Sequence, residues 1–120
     1  MQNLFLIKEL NTNIAIHEGE SIILNESFKK YKYLTFEYGD SAGSDYMIKT
    51  ILSKSVVVSG YLHLNSYDTG DGSANEVSDE ILLLKIETET SFKIITKYAN
   101  KNKLPPNAGY VTLFKILGSN

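Results

Sequence analysis

Asn25-Glu-Ser-Phe-Lys-Lys-Tyr-Lys-Tyr-Leu-Thr-Phe-Glu-Tyr-Gly39 carries the clearest structural instruction in the chain. From residue 33 to 38 the side chains alternate. Leu34, Phe36 and Tyr38 fall on one side, Tyr33, Thr35 and Glu37 on the other. Period-two alternation of aromatic and β-branched residues marks a strand with unequal faces. Gly39 and Asp40 end it. Ahead of the strand, residues 25–32 predict one helical turn, with Asn25 as its N-cap and Phe28 as its buried anchor.

Reading outward, strands are predicted over residues 4–10, 14–17 and 21–24. Gly19 supplies a positive φ for the tight turn between the last two. Ile22-Ile-Leu24 is apolar on both faces, so this strand is expected to be covered on both. Downstream, residues 46–52 and 56–64 read as strands, with Gly60 inside the second suggesting a bulge or a close backbone approach. Residues 66–80 form the longest irregular stretch, and loops of that length are usually functional or mobile. Residues 81–87 and 91–99 read as a hairpin around Thr88-Glu-Thr90. Pro105 and Pro106 keep the loop at 100–108 extended, and residues 109–117 form the last strand. About nine short strands, little helix and turn residues between them predict an all-β fold, an antiparallel β-sandwich of jelly-roll type, as a single domain over residues 1–120.

Composition excludes several functions. Among 120 residues the net charge is −2, and the longest basic cluster is Lys29, Lys30 and Lys32. A nucleic-acid binder needs a basic stripe to meet phosphate, so no nucleic-acid partner is expected. All 12 basic residues are Lys, which removes bidentate guanidinium clamps. There is no Cys, hence no disulfide and no thiolate chemistry. The first ten residues lack the basic and apolar regions of a signal peptide. No apolar run approaches the roughly 20 residues needed to span a bilayer, and no membrane insertion is expected.

Catalytic patterns are missing. The chain has no Gly-x-Ser-x-Gly elbow, no phosphate loop and no dinucleotide fingerprint. Asp68-Thr-Gly-Asp71-Gly72 invites a calcium reading, but glycines stand at the third and fifth positions, where that frame needs oxygen ligands. A looser set of Asp68, Asp71, Asn75 and Glu76 is outweighed by a solvated loop. His17 and His63 are the only imidazoles, and nothing in their spacing argues for a metal. Acidic pairs such as Glu37 with Asp40, or Asp79 with Glu80, arise by chance among 14 acidic residues. Asn25-Glu-Ser27 fits the glycosylation pattern and is read as a helix cap. No enzyme activity, cofactor or metal is therefore expected. The 8 Tyr and 5 Phe are more telling. Many Tyr fall near strand ends, where a flat apolar ring with a polar tip suits sugar or protein surfaces.

Ser21-Ile-Ile-Leu-Asn-Glu-Ser-Phe-Lys-Lys-Tyr-Lys-Tyr-Leu-Thr-Phe-Glu-Tyr-Gly39 resembles a pattern in bacteriophage tail-fibre and related virion proteins. Tyr110-Val-Thr-Leu-Phe-Lys-Ile-Leu-Gly118 resembles the closing strand of such domains. Together they cover about a quarter of the chain and rest on hydrophobic pattern rather than chemistry. The resemblance implies a receptor-binding tip domain of a tail or baseplate protein: a homotrimeric β-sandwich that binds host-surface saccharide or protein through its loops. It also implies a virion location beside other virion proteins, after synthesis in the bacterial cytoplasm without a signal peptide. Tail fibres usually carry an N-terminal shaft, whereas here a strand is predicted close to Met1. The expectation is therefore an excised tip or a small stand-alone virion protein.

On that reading the loops at 39–45, 67–80 and 100–108 form the recognition surface. Tyr46 and Tyr67 would stack on the ligand, and Asp40, Asp45, Asp68 and Asp71 would hydrogen-bond it. Two other readings stand beside it: a structural head or tail decoration protein, and a bacterial carbohydrate-binding module.

Overall fold

The computed structural model describes residues 7–15, 17–39, 46–68, 78–99, 102–103 and 112–120, with side chains at all of these except 66–68, 78–80, 97–99 and 102–103. The fold is an antiparallel β-sandwich. One sheet runs β1 (Ile7–Glu9), β9 (Thr112–Ser119), β3 (Tyr33–Gly39), β4 (Tyr46–Leu52). The other runs β2 (Ser21–Ile23), β7 (Ser91–Ala99), β6 (Ser78–Thr88), β5 (Tyr61–Asp68). These two orders hold eight strands, and a two-residue strand, β8 (Asn102–Lys103), pairs with β7. β1 and β2 each lie beside a strand from the far half of the chain, the interleaving expected of a jelly roll. β3–β4 and β5–β6–β7 are instead consecutive hairpins.

The alternation read from β3 sets the core. Leu34, Phe36 and Tyr38 are buried, while Tyr33, Thr35 and Glu37 are half-buried on the outer face. From the opposite sheet come Ile22, Leu82, Leu84, Phe92 and Ile94, all fully buried. Phe92 meets Phe36 edge-on at 6.0 Å and Phe28 at 5.2 Å between ring centres, both favourable aromatic arrangements. Phe28 is the predicted anchor, held in a 3₁₀ turn (Phe28–Lys30). Its cap is Ser27 rather than Asn25: the Ser27 hydroxyl accepts from the Lys29 amide at 3.2 Å. The turn begins at Phe28, so the flanking residue that can cap it is Ser27, and Asn25 lies too far upstream. Beyond the turn, the Tyr31 ring lies flat against Gly118. A Cβ at Gly118 would stand 2.5 Å from two carbons of that ring, so the position needs glycine for close approach.

The segment between β1 and β2 was read as a strand over 14–17. Among the described residues of 14–17 the pairing is an isolated bridge, Ala15 to Leu113, with Ile16 outside the description. Side chains take over the pairing there. The Asn11 amide donates to the Phe114 carbonyl at 2.9 Å and accepts from the Ile116 amide at 2.8 Å. The Asn13 amide donates to the Ser21 carbonyl at 3.0 Å and accepts from the Ile23 amide at 2.8 Å. Each side chain thus imitates a peptide group in a ladder, Asn11 toward β9 and Asn13 toward β2. Backbone bonds from Asn25 to Leu10 (2.7 Å) and from Thr12 to Ile23 (2.8 Å) finish closing this side of the sandwich. The turn that follows carries Gly19 at φ 90°, a conformation glycine adopts without strain.

The largest departure from the predicted elements lies on the other side. Residues 56–64 were read as one strand. The structure instead has a helix, α1 (Ser53–Ser59), and β5 begins only at Tyr61. Gly60 is the left-handed cap of that helix (φ 75°) rather than a strand bulge, and its amide donates to the Val56 carbonyl at 2.8 Å. Three consecutive valines favour a strand locally. The tertiary demand wins because the chain must pass from β4 in one sheet to β5 in the other. Val56 supplies the inward anchor, fully buried, and Ser53 ties the helix start to the Tyr31 carbonyl at 2.5 Å. Three smaller boundaries also shift. β5 extends to Asp68 and β6 starts at Ser78, which shortens the predicted irregular stretch to residues outside the description. The loop at 100–108 contains β8, and the last strand runs on to Ser119.

Candidate functional site

Of the six residues assigned to ligand binding, the structure describes the side chain of one. Asp40, Asp45 and Asp71 lie outside the described residues. Tyr67 and Asp68 are placed by backbone alone, as the end of β5 opposite Asp79 and Ser78. The three predicted recognition loops also fall largely outside the description. Tyr46 opens β4 and is 54% exposed.

Tyr46 does not stand alone. Its ring runs parallel to that of Phe114, 6° between planes and 5.9 Å between centres. The pairing has a backbone cause. β9 carries a bulge opposite Glu37 and Tyr38: Lys115 pairs with Glu37, Leu113 with Tyr38, and Phe114 between them has no partner across the ladder. A bulge re-aims the side chains around it. Leu113 and Ile116 are both buried, and Phe114 is only half-buried. β3 separates β4 from β9, but the residue opposite Tyr46 is Gly39, which puts no side chain between the rings. The Tyr46 hydroxyl donates to the Glu37 carboxylate, which fixes the ring's tilt.

Beside Phe114 a shallow groove of about 260 Å³ runs along the outer surface, lined by Glu9, Thr12, Ile14, Phe114 and Lys115. Glu9, Thr12 and Lys115 offer donors and acceptors within reach of one ligand. An aromatic surface edged by such groups suits a ring with an apolar face and peripheral hydroxyls. The sequence reading missed Phe114. A signal was present, because strict alternation through Leu113-Phe-Lys-Ile-Leu117 would place Lys115 with Leu113 on the core face. An apolar pattern broken by one lysine is the mark of a register shift.

Other candidate chemistry is not assembled. His17 lies in the turn before β2, where its Nδ1 is 3.4 Å from Glu20, and His63 lies on β5. Among the described residues no three His, Asp or Glu side chains are grouped to hold a metal ion. Asp71, Asn75 and Glu76 of the looser calcium reading lie outside the description. Among the described residues no helix is long and apolar enough to cross a membrane.

Two electrostatic features stand apart from the aromatic pair. Lys8 bonds Glu26 at 2.5 Å, and the Tyr31 hydroxyl donates to the same carboxylate at 2.6 Å. Chiefly through the bond to Lys8, Glu26 is held below its ordinary value, and Tyr31 is raised by its bond to Glu26. Tyr38 reaches between the sheets and donates to the Asn65 carbonyl at 2.6 Å, and burial raises its hydroxyl above the usual phenol value.

No protein-family model matches the chain, and no curated protein matches it.

Proposed function

We propose that this chain is a non-enzymatic receptor-binding module of a phage virion, a tail-fibre or baseplate tip domain that holds a host-surface saccharide. The phage assignment rests on the resemblance of residues 21–39 and 110–118. The binding reading rests on one observation, the parallel pair of exposed Tyr46 and half-buried Phe114 beside a shallow groove. A sugar ring lays its C–H face on an aromatic surface, and Glu9, Thr12 and Lys115 meet its hydroxyls. The test is binding of host cell-wall glycans by the intact chain and by Tyr46→Ala. The variant is expected to lose at least about tenfold in affinity, the loss of one stacking contact. Unchanged affinity removes the aromatic pair from the site.

A second reading, a structural virion protein or the trimer contact of a tip, is favoured by a different observation. Register places Ile7, Ile48 and Leu52 on the outer face of the same sheet, each more than two-fifths exposed. Exposed apolar residues on one face mark association surfaces. Light scattering after size exclusion separates the readings: a trimer supports the tip domain, and a stable monomer favours a decoration protein or a sugar-binding module.

A further inference from the structure

Where β4 and β5 face each other the sheets stand apart, leaving an open groove of about 380 Å³. Its apolar lining includes Ile51 of β4, Val56 of α1 and Leu62 of β5. Lys49 and His63 stand farther along the two strands from α1. The lysine reaches across the gap, and its ammonium donates to the His63 carbonyl at 3.0 Å. That bond fixes the position of the charge and uses one of its three donors. Among the described residues no carboxylate pairs with Lys49 and no Asp or Glu lines the groove.

We propose that this groove is a binding site for a small amphipathic carboxylate, separate from the aromatic pair on the outer face. The apolar body lies on Ile51 and Leu62, and the carboxylate accepts from the remaining Lys49 donors. Three observations converge on that class. The volume falls within the roughly 300–1,000 Å³ of small-molecule sites. The apolar floor selects an alkyl or aryl body over a polyol. A single placed ammonium matches one negative charge, whereas a phosphate dianion calls for more cationic partners than this lining holds.

The experiment titrates the isotope-labelled full chain with octanoate, octanol and glucuronate, following backbone amides by NMR. Octanoate is expected to shift Ile51, Val56 and Leu62 and to bind at least about tenfold more tightly than octanol, the contribution of one charge-assisted contact. Glucuronate, a carboxylate on a polar body, is expected to leave the groove unchanged. Lys49→Met should abolish the preference for octanoate while retaining octanol binding. Ser55→Glu, an exposed change on α1 that sets a negative charge in the groove lining, should weaken octanoate alone. This second variant decides the matter if Lys49→Met fails to fold. Equal binding of octanoate and octanol, absence of octanoate shifts at the groove, binding of glucuronate there in place of octanoate, or an octanoate preference that survives Ser55→Glu would overturn the proposal.

Discussion

The two sides of the sandwich are closed by different means. On the side of β1 and β2 the closure is continuous. Backbone bonds join residues 10–12 to 23–25, and Asn11 and Asn13 insert their amides into the ladders of β9 and β2. On the side of β4 and β5 the closure is by straps. Tyr38 and Lys49 each donate to a carbonyl of β5, and α1 covers the end. Both devices cover part of the free edges that a sheet must protect. The strapped side leaves a groove between the sheets. A ladder leaves no space for a ligand between its strands, whereas two side-chain bonds hold the edges together and keep them apart.

This contrast can be broken most sharply at Gly118, in the register pair with Lys8 of β1. Gly118→Ala drives a methyl into the Tyr31 ring, and overpacking of this kind should cost about 3 kcal/mol. A shift in urea midpoint reads it, and an unchanged midpoint would show that Tyr31 is not locked in place. Next come Asn11→Ala and Asn13→Ala. The Asn11 amide satisfies three backbone groups and the Asn13 amide two, and each loss should cost about 2 kcal/mol. If the losses are no larger than for an ordinary surface asparagine, the amides do not close the ladder.

On the strapped side the effects are smaller. Tyr38→Phe deletes one bond to Asn65 and should cost about 1 kcal/mol. Val58→Ala should have the opposite sign. Its side chain is largely exposed, and alanine is a better helix former than valine, so the variant gains about 0.5 kcal/mol. If residues 53–59 were a strand, the same change would destabilise. Chemical denaturation of this one variant therefore tests the helix directly.

The smallest effect concerns Glu26, bound by Lys8 of β1. A carboxyl whose folded pKa is lowered adds stability above its unfolded value of about 4.3, and loses that contribution as pH falls through the folded value. Glu26→Gln should therefore be less stable than the parent at pH 7, with the gap closing below about pH 4. A gap independent of pH would assign the loss to packing instead.

The candidate site was only partly legible. Tyr46 could be read as an exposed aromatic at a strand end from its place after a polar loop. Its partner could not, because Phe114 reaches the outer face through a bulge, and a bulge depends on how two strands distant in sequence come into register. The groove was hidden for a related reason. Val56-Val-Val58 carries a strand preference, and the groove exists only because tertiary packing overrides it.

By itself the sequence determined what local chemistry controls. The strict alternation of Leu34, Phe36 and Tyr38 dictated a strand with one buried face, Phe28 supplied an apolar anchor, and Gly19 allowed a tight turn. Tertiary structure alone decided which strands became neighbours, which asparagine amides stood in for peptide groups, why residue 118 must be glycine, and which side of the sandwich stayed open. The physical reason is range. Alternation and turn chemistry are fixed by neighbours along the chain, whereas pairing and closure are fixed by contacts such as Asn11 with Ile116, 105 residues apart.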